Sequence, residues 1–315
     1  VPVSSLLTRP FEFLDSVLRG IGQVMLQENS FTGLFFVIGI FFNSTLFGVA
    51  VLLGTAVSTA TAMALGIERA AIRAGLYGFN GGLVAIALLF FLAPNWLTWA
   101  CVILAAASST LLMAALQSLL RIWKIPALTA PFVFTSLCFF LATARFGRLE
   151  STQLLPTAGL PKAVAVEGIV NSSTVVEGLF NGIGQVFFQG NVVTGILFTI
   201  GLLIASRRAG VAALLGSLVG LLVAWGMGAA EPAIRAGAFG FNSVLVAIAL
   251  GAVFYTLNRA SVIHALLATL ATPFVYAALS AALEPLGMPA LTLPFVLVTW
   301  IALLAGQATI LKAKA

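Results

Sequence analysis

The stretch IRAGLYGFNGGLVAIAL, residues 72–88, decides the reading of the fold, because IRAGAFGFNSVLVAIAL stands at residues 234–250 with thirteen of seventeen positions identical. Working outward, GIGQVMLQENSFTGLFFVIG from Gly20 matches GIGQVFFQGNVVTGILFTIG from Gly182 at twelve of twenty positions. PALTAPF from Pro126 returns as PALTLPF from Pro289. Three blocks recur in one order, offset by 162 or 163 residues, so the chain is an internal duplication: residues 1–150, a linker at 151–174, and residues 175–315.

Composition fixes the solvent. Of 315 residues 61% are apolar and 8% charged, with a mean hydropathy of +1.14, whereas soluble domains carry about 25% charged residues. Apolar segments separated by short polar joints predict helical spans rather than the alternating strands of a barrel. The first copy offers five, near 31–42, 46–66, 80–93, 96–119 and 130–146. The second offers 190–205, 209–229, 242–257, 259–283 and 293–311. The fold class expected is thus an all-α polytopic membrane protein, with ten transmembrane helices in two five-helix repeats. An odd number of spans per copy inverts the second copy in the membrane. That topology places eleven of the fifteen basic residues on the face of the N-terminus, and only Arg145, Arg148, Lys162 and Arg235 on the other. The positive-inside rule then makes both termini cytoplasmic. The opening VPVSSLLTRPFEFLDS lacks the order of a cleavable signal and reads as mature chain.

Further helical candidates precede spans in both copies: Pro10 to Leu26, Glu68 to Phe79, Val175 to Phe188 and Glu231 to Phe241. Half-length helices persist at membrane depth only where they are buried in protein or line a cavity, so duplicated ones point to a central pathway. Gln23 and Gln185 recur in GIGQV. Such an amide either bonds one helix to another or faces a pore. Thr129 and Thr292 lie beside Pro131 and Pro294, which free carbonyls from the helical ladder. Either the hydroxyls repair that break locally, or hydroxyls and carbonyls together face a polar solute. Phe79 and Leu83, like Phe241 and Leu245, are four apart and share a helix face. Leu26 and Phe188 follow the glutamines by three, which puts them on the glutamines' face. Apolar plates beside a row of oxygens suit a flat, neutral solute rich in N–H donors.

Nearly every charge falls at a joint, leaving no intramembrane acid–base relay of the kind that drives carriers, which favours a passive channel. Arg73 and Arg235 read as donors to exposed carbonyls, with Glu68 and Glu231 as partners. His264 reads as structural. Cys101 and Cys138, inside apolar segments, read as small buried hydrophobes. The basic residues at helix joints set topology and do not form a nucleic-acid surface. No spaced nucleophile and base or metal-ligand cluster suggests an enzyme, a cofactor or a metal. A single histidine argues against a paired-histidine ammonium pore, and the doubled Asn-Pro-Ala of water channels is absent.

The doubled PALTxPF and GFNxxLVAIAL strings resemble the urea transporters, channel-like proteins of bacteria and of vertebrate kidney and red cells, over nearly the whole chain. That resemblance implies a homotrimer in the plasma (bacterial inner) membrane, with a urea pore in each subunit between two inverted halves. It makes Gln23, Gln185, Thr129 and Thr292 the oxygen-bearing residues at the slot's centre. The slot walls are Phe79, Phe241, Leu83, Leu245, Leu26 and Phe188. Some family members carry Glu at one of the Gln positions. The alternative is a channel for another small neutral solute, such as ammonia or short amides.

Overall fold

A computed structural model describes residues 4–162 and 165–308. Among them the chain is helical, with a lone bridge between Leu92 and Ser151 instead of a sheet. Seven helices come from the first copy: α1 (Ser4–Gln23), α2 (Ser30–Asn43), α3 (Thr45–Ala64), α4 (Arg69–Arg73), α5 (Phe79–Phe91), α6 (Trp96–Leu120) and α7 (Ala130–Ala142). The second copy returns the series as α8 (Ser172–Gly184), α9 (Val192–Ala205), α10 (Arg207–Gly226), α11 (Glu231–Arg235), α12 (Phe241–Ile248), α13 (Arg259–Leu283) and α14 (Leu293–Gln307).

The helix starts are written into matched polar residues. Asn29, Asn95, Asn191 and Asn258 each accept a hydrogen bond from the backbone amide three residues on, satisfying one donor that the helix cannot. Ser44 ends α2 and caps α3 in one residue, and Ser206 does the same between α9 and α10.

Helices α3, α6, α10 and α13 are individually long and apolar enough to cross a membrane. At 1.5 Å per residue, the 20 residues of α3 reach about 30 Å. By contrast α2, α5, α7 and α14 have 13 to 15 residues, and α8 meets α9 at a 73° bend. The continuation of α12 differs from its counterpart, winding as a π-helix over Ala249–Val253. Every residue of α5 except Phe90 is buried, so this short helix is held by protein on all sides.

Close backbone approach makes that burial possible. A Cβ on Gly54 would fall 2.3 Å from the Gly81 carbonyl oxygen, and one on Gly216 would fall 2.5 Å from that of Ser243. In membranes, small residues at such crossings replace the missing hydrophobic drive with tight packing. The two copies grip each other through α2 and α9: Thr32 donates to the Gly201 carbonyl (2.7 Å), and Thr194 to that of Gly39 (2.9 Å).

Two of the expected pre-span helices are shorter than their strings. Residues 68–79 and 231–241 hold only the five-residue α4 and α11, because Gly75 (φ +76°) and Gly237 (φ +77°) turn the chain out of the helix. Each turn lies against the other broken segment of its copy: a Cβ on Gly75 would stand 2.3 Å from the Gly20 nitrogen, and one on Gly237 2.3 Å from the Gly182 nitrogen. Nor are the cysteines buried hydrophobes. Cys101 is half-buried, packed against the core, and Cys138 is exposed.

Candidate solute slot

The two GFN strings place their asparagines at the mouths of α5 and α12, where each closes the broken segment of its own copy. Asn80 donates to the Leu128 carbonyl (3.3 Å) and accepts from the Phe132 amide (3.1 Å). Asn242 repeats this with Leu291 (3.2 Å) and Phe295 (3.0 Å). Leu128 and Leu291 both sit at φ +51°, a left-handed conformation that costs a branched side chain energy and is held here by the amide clamp. The break is therefore repaired by asparagine from another helix, not by the adjacent threonine. Sequence reasoning passed over Asn80 and Asn242 as site residues; the signal was a primary amide repeated inside an apolar run.

Thr129 and Thr292, relieved of that duty, point at each other. Their hydroxyl oxygens stand 2.6 Å apart, joining α7 to α14. Both residues are buried, at the starts of half-length helices. The carbonyls just upstream already accept one bond each: Pro126 from the Trp300 indole (2.8 Å), Ala127 from the Ala130 amide (3.2 Å), and Leu128 from Asn80. A carbonyl oxygen retains a second lone pair.

The glutamines take the helix-to-backbone role and bring the turns to them. Gln23 Nε2 donates to the Ala74 carbonyl (2.9 Å), and Gln185 Nε2 to that of Ala236 (3.1 Å). Asn181 adds a bond to the Arg235 carbonyl (2.8 Å). These amides, rather than arginines, tie down the exposed carbonyls. Arg73 pairs with Glu12 (2.9 Å) instead of Glu68, because α1 runs beside α4 and brings Glu12 to it. Arg235 does pair with Glu231 (2.7 Å), and also with Glu177 (2.7 Å). Bonds from Thr174 and Arg235 hold the Glu231 carboxyl below the ordinary range.

Leu26 and Phe188 are not on the glutamines' helix face. At φ +61° and +60° they leave the helix in a left-handed turn, since α1 ends at Gln23 and the 3₁₀ turn after α8 ends at Phe187. That turn throws Phe188 into the other copy, against Phe90 (5.2 Å between ring centres), Phe91 (5.9 Å) and Phe132 (6.4 Å). Phe241 stands edge-on to Tyr276 (5.7 Å), as Phe239 does (5.3 Å).

A cavity of about 660 Å³ opens here, lined among others by Gln185, Phe188, Phe241, Tyr276 and Thr292, with Phe132 from the first copy and Lys162 from the linker. Four of the ten expected site residues thus share one chamber. Thr129 joins it through its contact with Thr292. Gln23, Leu26, Phe79, Leu83 and Leu245 do not line this cavity; Phe79, Leu83 and Leu245 are buried on α5 and α12. His264 is structural, facing the Ala302 carbonyl at 3.1 Å and stacking edge-on to Tyr255.

Broken helices joined at paired hydroxyls, beside an aromatic chamber and within an apolar helical shell, define a membrane protein that handles a small solute. The urea transporter family profile matches residues 14–307, and the chain belongs to that family, whose members are transporters rather than enzymes. It is 32% identical over 297 residues to urea transporter 1 of Ovis aries, covering 93% of this chain and 77% of the relative. The protein of that name from Rattus norvegicus is 31% identical with the same coverage.

Proposed function

We propose that the protein conducts urea passively, in either direction, through a slot between the two copies. The contact that carries this reading is the buried Thr129–Thr292 hydroxyl pair, where the two half-length helices α7 and α14 meet. Urea is planar, uncharged and rich in N–H donors, and leaving water costs it several hydrogen bonds that must be replaced. Oxygens of Gln23, Thr129, Thr292 and Gln185 replace them in sequence. Walls from Leu26, Phe79, Leu83, Phe188, Phe241 and Leu245 admit only a flat molecule. Many weak sites in series let a solute leave as readily as it enters.

In this reading ten spans form two inverted repeats, bounded at residues 1–150 and 175–315 and joined by residues 151–174. Each copy contributes half-length pore helices. Both termini face the cytoplasm of a bacterial inner membrane, and the protein works as a homotrimer with one slot per subunit. The charge asymmetry between the two faces and the recurrence of α1–α7 as α8–α14 support this arrangement.

The test is stopped-flow light scattering on liposomes containing the purified protein, under an inward urea gradient with no ion gradient. Fast urea entry that a protonophore leaves unchanged is expected. Entry no faster than into empty liposomes, with folded protein, refutes it.

A further inference from the structure

Away from the slot, a cleft of about 400 Å³ lies between the start of α6 and the chain following α7, lined by Leu97, Cys101, Phe146 and Leu149 with Arg145 and Arg148. Its volume falls within the range of small-molecule sites, and its walls are of two kinds. Leu97 and Cys101 are one helical turn apart on α6 and make an apolar strip. Arg145 and Arg148 are exposed, and neither forms an ion pair or a side-chain hydrogen bond, not even with nearby Glu150. Arg235, another cation of the face assigned to them by the charge count, is neutralised by two carboxylates. Trp96, at the first position of α6, is 76% exposed, and tryptophan is the residue that gathers where apolar and aqueous phases meet.

We infer that this cleft binds a phospholipid, with an acyl chain along Leu97, Cys101 and Phe146 and the phosphate diester held by Arg145 and Arg148. A guanidinium matches phosphate oxygens in a two-pronged geometry, and two of them at an interface give the anion charge-assisted bonds that water alone does not. The apolar strip supplies what inorganic phosphate cannot use. The ligand is therefore recognised by both ends.

The experiment is native mass spectrometry of the purified protein, delipidated and then titrated with phosphatidylglycerol or with diacylglycerol of the same chains. Phosphatidylglycerol is expected to be retained, diacylglycerol at least several-fold less, and excess inorganic phosphate should leave retention unchanged. Arg145→Gln with Arg148→Gln should abolish the preference while urea flux persists. In a Cys138→Ser background, a fluorophore on Cys101 should be quenched by brominated-chain phosphatidylglycerol in the parent and several-fold less with both arginines replaced. Equal retention of the two lipids, or quenching indifferent to the arginines, overturns the inference. Displacement by inorganic phosphate would make this an anion site without a lipid.

Discussion

Replacing Asn242 by Ala deletes a single side chain and removes two bonds that fix the start of α12 to the start of α14. Each such bond between helices in a membrane contributes about 0.6–2 kcal/mol. Their loss also strands the Leu291 carbonyl and the Phe295 amide in a buried setting, where an unsatisfied group costs about 1–3 kcal/mol. These two figures describe the same event from opposite sides and are not added; taken over two bonds they overlap at roughly 2–4 kcal/mol for Asn242→Ala, and Asn80→Ala, which also loses a contact with Met113 Sδ, should cost at least as much. Because Leu291 holds φ +51° only under that clamp, Thr292 should drift from Thr129 and urea flux should fall along with stability. Asn181→Ala is the control: it deletes one bond, to the Arg235 carbonyl, and an Oδ1 atom that has no partner, so it should cost less than half as much. Equilibrium unfolding in mixed micelles, followed by circular dichroism, measures the stabilities, and liposome flux the function. Asn80 and Asn242 variants within about 1 kcal/mol of the parent, with full flux, would refute the clamp.

Gln23→Ala with Gln185→Ala should cut urea entry strongly while leaving a folded protein by circular dichroism, and unchanged entry removes both from the pathway. Thr129→Val keeps the shape and loses the hydroxyl contact, so it should slow flux less than the bulkier Thr129→Leu; equal effects would assign the role to volume. Flux should be flat from about pH 5.5 to 8.5, because neither glutamine titrates and ordinary carboxyls are already ionised there. Gln185→Glu should break that flatness. Facing the Ala236 carbonyl raises the introduced carboxyl's pKa, its protonated form donates as the amide does, and flux should fall as pH rises through that pKa. Gly75→Ala adds a left-handed penalty of about 1–2 kcal/mol to a clash with the Gly20 backbone, and thermal unfolding should register the loss.

The positions of the apolar helices were legible because they depend on apolar run length, and α13 begins and ends where its string predicts. Duplication marks Gln23 with Gln185 and Thr129 with Thr292, and the fold brings the two threonine hydroxyls together and each glutamine to a backbone carbonyl. What escaped was whatever turns on conformation rather than composition. The i+3 rule assigned Leu26 and Phe188 to a helix that stops before them, since nothing local forbids one more turn; the left-handed φ there is imposed by the chain's return into α2 and α9. Asn80 was hidden because its partners lie 48 and 52 residues away. Glu12 was hidden likewise, 61 residues from Arg73, whereas the nearer Glu68 satisfied any argument from spacing.

The crossed bonds of Thr32 to Gly201 and Thr194 to Gly39 have the form of an isologous dimer contact, in which residue i meets j and j meets i. A half-length chain with one such threonine and one such glycine would complete the contact by pairing with itself. Joining two copies end to end freed each from that obligation of sameness. One copy carries Leu26 and a regular α5, and the other carries Phe188 and a π-turn after α12. Two unlike copies can differ residue by residue on either side of such a contact, which two identical chains paired with each other cannot.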